Sequence, residues 1–97
     1  MLFGNRIKQL RNENGVKQRQ LADLLEMDTP LFSKIERGTR FAKRRHVLLL
    51  AKYFNLDENE MLTLWLADKV LKTVKGEDAV DIAALDAAKC ELFQNKS

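Results

Sequence analysis

The chain of 97 residues has one cysteine, one histidine, one proline and four glycines. Cys90 alone closes no internal disulfide, and Cys90 with His46 builds no metal cluster, which excludes stapled secreted scaffolds and zinc modules. There is no Gly-rich phosphate loop and no Ser/His/Asp constellation, so no catalytic centre, metal or cofactor is expected. The longest apolar run, Val47 to Ala51, falls far short of the roughly 18 residues of a membrane span. The chain also does not begin with a charged stretch followed by an apolar one. A soluble cytoplasmic protein without membrane association is the expectation.

What is present argues for folding. Hydrophobic residues make up 45% and charged residues 32%, yet the charges balance to +3, unlike the high net charge and low hydrophobicity of disordered chains. The balance conceals an asymmetry. Residues 1–56 hold 12 Lys+Arg and 5 Asp+Glu, or +7, whereas residues 57–97 hold 5 and 9, or −4. A basic front half suits a polyanion, and an acidic rear half suits a different partner. The densest cations are Arg37, Arg40, Lys43, Arg44 and Arg45. They suit either a phosphate-facing segment or a solvated loop.

Apolar residues recur every three or four positions almost throughout, and no sustained two-residue alternation appears, so the fold class is all-α. A first helix carries Phe3, Ile7 and Leu10 and ends at Asn14-Gly15. A second covers about Gln18 to Leu25, and a third Thr29 to Arg37, with Asp28 as cap, Pro30 in the first turn and Gly38 as terminator. A fourth covers Lys43 to Phe54, and His46 near its start is expected at the surface. Asp57 and Glu60 have capping-box spacing, predicting a fifth helix that continues to Gly76. A sixth, Glu77 to Phe93, presents Ile82, Leu85, Ala88 and Leu92 on one face, with Cys90 packed or half-exposed and Gln94 to Ser97 frayed.

Helices two and three, joined by three residues with small Ala22 at their crossing, have the spacing of a helix-turn-helix. Leu21, Met27, Phe32 and Ile35 form the wedge between them. On the third helix Phe32, Ile35 and Glu36 share one side, and Pro30, Ser33, Lys34 and Arg37 share the other, a short polar face able to enter a DNA major groove.

These residues, Gln18-Arg19-Gln20-Leu21-Ala22, then Met27, then Ser33-Lys34-Ile35-Glu36-Arg37-Gly38, resemble the Xre-type helix-turn-helix family that includes phage lambda repressor and Cro. The resemblance covers residues 3–67. It implies a five-helix lambda-repressor-like DNA-binding domain, here over residues 1–67, acting as a dimer on a two-fold operator in double-stranded DNA. By position it makes Thr29, Pro30 and Lys34 base-reading, and Gln18, Ser33, Arg37, Arg40, Lys43 and Arg44 phosphate-binding. It also pairs Arg11 with Glu36 in an ion pair that ties the first helix to the third.

Three positions depart from the family pattern. Glu26 stands where Gly is common in the turn, and Lys17 replaces the usual Ser or Thr cap of the second helix. Pro30 has no side-chain donor or acceptor, so it either touches a thymine methyl or only starts its helix.

Residues 68–97 lie beyond the resemblance and are expected to form a helical extension. Trp65, Leu66, Val70, Leu71, Val74, Ile82, Leu85 and Leu92 present more apolar surface than a domain this small covers. Either they pair with a second copy as a homodimer, placing the reading helices about 34 Å apart, or the last helix folds back. The overall expectation is a DNA-binding transcriptional regulator at the nucleoid. The alternative is an antitoxin-like protein that neutralises a protein partner through its rear half.

Overall fold

The computed structural model describes residues 1–74, 76 and 78–95. Among them are six helices and no strand: α1 (Leu2–Glu13), α2 (Gln18–Leu24), α3 (Thr29–Arg37), α4 (Arg44–Tyr53), α5 (Glu58–Thr73) and α6 (Asp78–Asn95). The molecule is all-α. Its core forms where α1 packs on α3 and α5, α2 on α3, and α4 on α5. Phe32, Ile7, Leu21, Leu50, Met61 and Val47 are its largest fully buried side chains, one or more from each of α1 to α5. No helix among the described residues is long and apolar enough to cross a membrane.

The helix ends explain the local geometry. Asp28 caps α3 by accepting from the Leu31 amide at 2.8 Å, Pro30 occupies the first turn, and Gly38 closes the helix at φ 82°. Lys17 offers α2 no acceptor, and Gln20 compensates by reaching back with Oε1 to the Lys17 amide at 2.8 Å. In the turn, Glu26 adopts φ 56°, a left-handed conformation that costs an L-residue about 1 kcal/mol. This lets the Met27 amide return to the Ala22 carbonyl at 3.0 Å.

Several details differ from the sequence reading. His46 is 7% exposed rather than superficial, because its Nδ1 turns back to accept from the Lys43 amide at 3.2 Å and starts α4. Asp57 precedes α5 but makes no side-chain cap, so the expected capping box is absent. α5 stops at Thr73, where Val74 turns extended, rather than at Gly76. The Gly76 amide instead donates to Asp81 Oδ2 at 2.8 Å, a contact at the start of α6. Of the expected start and tail of α6, Glu77, Lys96 and Ser97 lie outside the described residues, while Gln94 is helical. Cys90 is exposed rather than packed or half-exposed.

Two tertiary devices set α1. Gly4 lies so close to α3 that an added Cβ would drive into the Glu36 carbonyl oxygen. Asp68, on α5 and 3% exposed, receives the Leu2 amide on Oδ1 at 2.8 Å and the Phe3 amide on Oδ2 at 2.9 Å. A carboxylate from another helix thus satisfies two of the orphan donors of α1 and meets the positive end of its dipole.

Candidate nucleic-acid interface

The inner face of α3 is fixed before the outer face can present anything. Phe32 and Ile35 are buried in the core, and Glu36 is 6% exposed. Its carboxylate takes a two-pronged grip from Arg11, Nε at 3.0 Å and Nη2 at 2.9 Å, and a third donor from Gln18 Nε2 at 3.1 Å. Arg11 Nη1 also donates to the Val16 carbonyl at 3.3 Å. One carboxylate therefore joins α1, the start of α2 and α3. The hydrogen bond that Arg11 donates to Glu36 raises the Arg11 pKa above its ordinary value, against the opposing effect of burial.

With that side locked, Pro30, Lys34 and Arg37 stand exposed on the outer face, with Thr29 and Ser33 partly exposed beside them. Lys34 and Arg37 also lie in the last turn of α3, where cations complement the helix dipole. The segment after Gly38 presents Arg40, Lys43 and Arg44, all exposed. A shallow polar depression brings together Gln18, Ser33 and Arg37 from the expected phosphate-binding set. Arg11 and Glu36 form its floor, and Asn5 and Lys8 of α1 complete its wall. Lys8 is a cation the sequence reading missed. It precedes Arg11 by one helical turn, a spacing that puts both on one side of α1. Gln18 faces Glu36 with one amide hydrogen, which leaves its other for a ligand.

Burial lowers the pKa of His46 below its ordinary value, and the nearby charges of Arg45 and Lys43 act in the same direction. The ring is neutral at neutral pH, with Nδ1 as acceptor and the proton on Nε2. Its part is to order the start of α4, beside the exposed Arg44.

The residues expected at a dimer contact divide into two groups. Leu66, Val70 and Leu71 are exposed on α5, with Val74 half-buried. On α6, Ile82, Leu85 and Leu92 are exposed, and so are Val80 and Phe93. Among the described residues α6 is in none of the closely packed helix pairs. Trp65 stands apart: its indole Nε1 donates to the Ala42 carbonyl at 2.8 Å and its ring packs against the core.

Among the described residues no group of three His, Cys, Asp or Glu side chains is arranged to hold a metal ion. Neither the curated proteins nor the solved structures include a match to the chain. Among protein families, residues 2–64 match the one described as a helix-turn-helix domain. That span contains the α2, turn and α3 unit together with the Arg11, Gln18 and Glu36 cluster that locks it. The chain belongs to the helix-turn-helix domain family, in keeping with its resemblance to the Xre-type proteins.

Proposed function

We propose that this protein is a sequence-specific DNA-binding transcriptional regulator, a repressor or self-regulating controller that acts as a dimer on a two-fold operator. The observation that carries the reading is the outer face of α3, held rigid by the buried Glu36 cluster and flanked by exposed cations at its end. Thr29 and Lys34 read base edges, and Pro30 supplies an apolar contact to a thymine methyl. Gln18, Ser33, Arg37, Arg40, Lys43 and Arg44 grip phosphates and fix the register. No enzymatic step belongs to this reading, and the site of action is the nucleoid.

The exposed residues Val70, Leu71, Ile82, Leu85 and Leu92 support a two-fold contact between copies, with Val74 beside them. Deleting residues 77–97 then takes the light-scattering mass at micromolar concentration from that of two full chains to that of one truncated chain. A mass of two truncated chains refutes the contact through α6. A second reading, neutralisation of a protein partner in the manner of an antitoxin, draws support from the same uncovered and acidic α6.

The deciding experiment is fluorescence-anisotropy titration with duplex from the protein's own promoter and with scrambled duplex, across about 50 to 200 mM salt. Promoter DNA binds about 10³-fold or more tightly than scrambled DNA if the reading holds. Lys34→Ala removes roughly 1 to 3 kcal/mol of discrimination at one base position. Equal losses on both duplexes refute the role given to Lys34.

A further inference from the structure

Between α3 and α4 the chain crosses Thr39–Lys43 without regular structure, yet it is firmly held from α5. Ala42 is buried, and its carbonyl receives the Trp65 indole N–H at 2.8 Å. Lys69 Nζ lies 3.9 Å from the centre of the Trp65 ring and 5.8 Å from that of Phe41. Lys72 Nζ lies 5.5 Å from the Phe41 ring. At spacings of four and three, Trp65, Lys69 and Lys72 share one side of α5. By the helical period Leu66 and Val70 fall on a different side, and both are exposed.

Phe41 is itself 39% exposed and is flanked in sequence by Arg40 and, two residues on, Lys43. Lys69 and Lys72 thus meet at one aromatic residue whose own segment carries two exposed cations. Among the described residues the ion pairs are Arg6–Glu60 and Arg11–Glu36, neither of which involves these lysines. The nearest acid along α5, Asp68, has both oxygens engaged by the Leu2 and Phe3 amides. Like charges held together without a counter-charge among the described residues favour an anion from outside. The rings also restrict two long side chains whose freedom would otherwise oppose gripping a ligand.

We propose that Lys69 and Lys72, held over Trp65 and Phe41, form a second phosphate grip on the DNA backbone, outside the helix-turn-helix, and that Trp65 positions the Thr39–Lys43 segment between the two grips. The proposal rests on the DNA-binding reading above. It gives α5 two opposite duties: one side faces the DNA backbone, and the Leu66 and Val70 side is left for a second copy. Trp65 accordingly acts as a positioning residue and not as part of the dimer contact.

The test uses the full chain and a labelled duplex of scrambled sequence, with anisotropy followed across a salt series. The variants are Lys69→Gln with Lys72→Gln, Arg40→Ala, and the charge-matched control Lys52→Gln with Lys89→Gln. Each lost phosphate contact lowers the slope of log affinity against log salt by about 0.9, so the Lys69 and Lys72 pair lowers it by about two. Arg40→Ala lowers it by about one, and the control leaves it unchanged. Trp65 is the sole tryptophan, so its emission also responds when duplex saturates the parent protein. Trp65→Phe keeps a ring beneath Lys69 but loses the bond to Ala42, and weakens duplex binding without changing the sedimentation coefficient. A slope unchanged in the lysine pair but reduced in Arg40→Ala overturns the second grip and leaves the DNA reading intact. A parent protein with no salt-dependent duplex binding overturns both. Loss of dimer mass in Trp65→Phe overturns the positioning role.

Discussion

Replacing Gly4 by Ala sets two physical effects of opposite sign against each other. Gly4 lies in the first turn of α1, and helix propensity alone makes Ala more stable there by up to about 1 kcal/mol. The packing says otherwise. An added Cβ would overlap the Glu36 carbonyl oxygen and would lie 2.9 Å from the Glu36 carbonyl carbon and 3.0 Å from the Ile35 carbonyl oxygen. These are backbone atoms at the end of α3, so no side chain can rotate away, and α1 must shift from the helix it anchors. Overpacking of this kind costs about 1 to 3 kcal/mol, with backbone collisions at the upper end. After subtracting the propensity gain, a net loss of about 2 kcal/mol remains, equivalent to a fall in Tm of roughly 8 to 16 °C for a domain of this size. Circular dichroism melts and urea titrations of the parent and Gly4→Ala measure it. Gly15→Ala is the companion: at φ 62° with no atom near the added Cβ, it carries only backbone strain, of order 1 kcal/mol. A Gly4→Ala protein as stable as the parent, or more so, refutes the close approach of α1 to α3.

Three further perturbations probe other elements. Glu36→Gln leaves the guanidinium of Arg11 without its partner charge and lowers unfolding free energy by about 3 to 5 kcal/mol in urea, whereas replacing both residues by Met is close to neutral. Asp68→Ala removes the acceptor shared by the Leu2 and Phe3 amides, costs about 0.5 to 2 kcal/mol, and abolishes their protection in hydrogen exchange while the α4 amides stay protected. His46 has a folded pKa below the ordinary 6.5, so on acidification the unfolded chain takes the proton first. Stability is full above about pH 6.5 and falls as pH drops through the folded pKa, when protonation of Nδ1 also breaks its bond from the Lys43 amide. Urea midpoints across that window fall in the parent and flatten in His46→Gln.

The α2, turn and α3 unit was legible in the sequence because all its determinants lie within about twenty residues. Asp28 and Gly38 mark the helix ends, Ala22 fits the crossing, and Phe32 and Ile35 have the period of a buried face. Arg11 with Glu36 came from the family resemblance, and the observed contact joins residues 25 apart in sequence. The features that escaped are those that only packing creates. Gly4 reads as a weak spot in a helix until the neighbouring backbone is in place. Asp68 reads as a surface charge on α5, since nothing in its vicinity announces a partner at residues 2 and 3. His46 reads as a surface residue because neither composition nor periodicity reports which way a ring turns. Trp65 lies next to exposed Leu66 in an apolar run, and only its bond to Ala42 separates their roles.

The cap that Asp68 places on α1 also constrains the order in which the protein assembles. Once synthesised, α1 keeps two amide donors open to water until residue 68 has been made and α5 has docked. The helix-turn-helix unit is complete in the nascent chain some thirty residues earlier, but the helix that braces it is not. The closing step therefore joins segments 65 and 66 residues apart, so α1 is completed only after α5 and the domain closes as one unit.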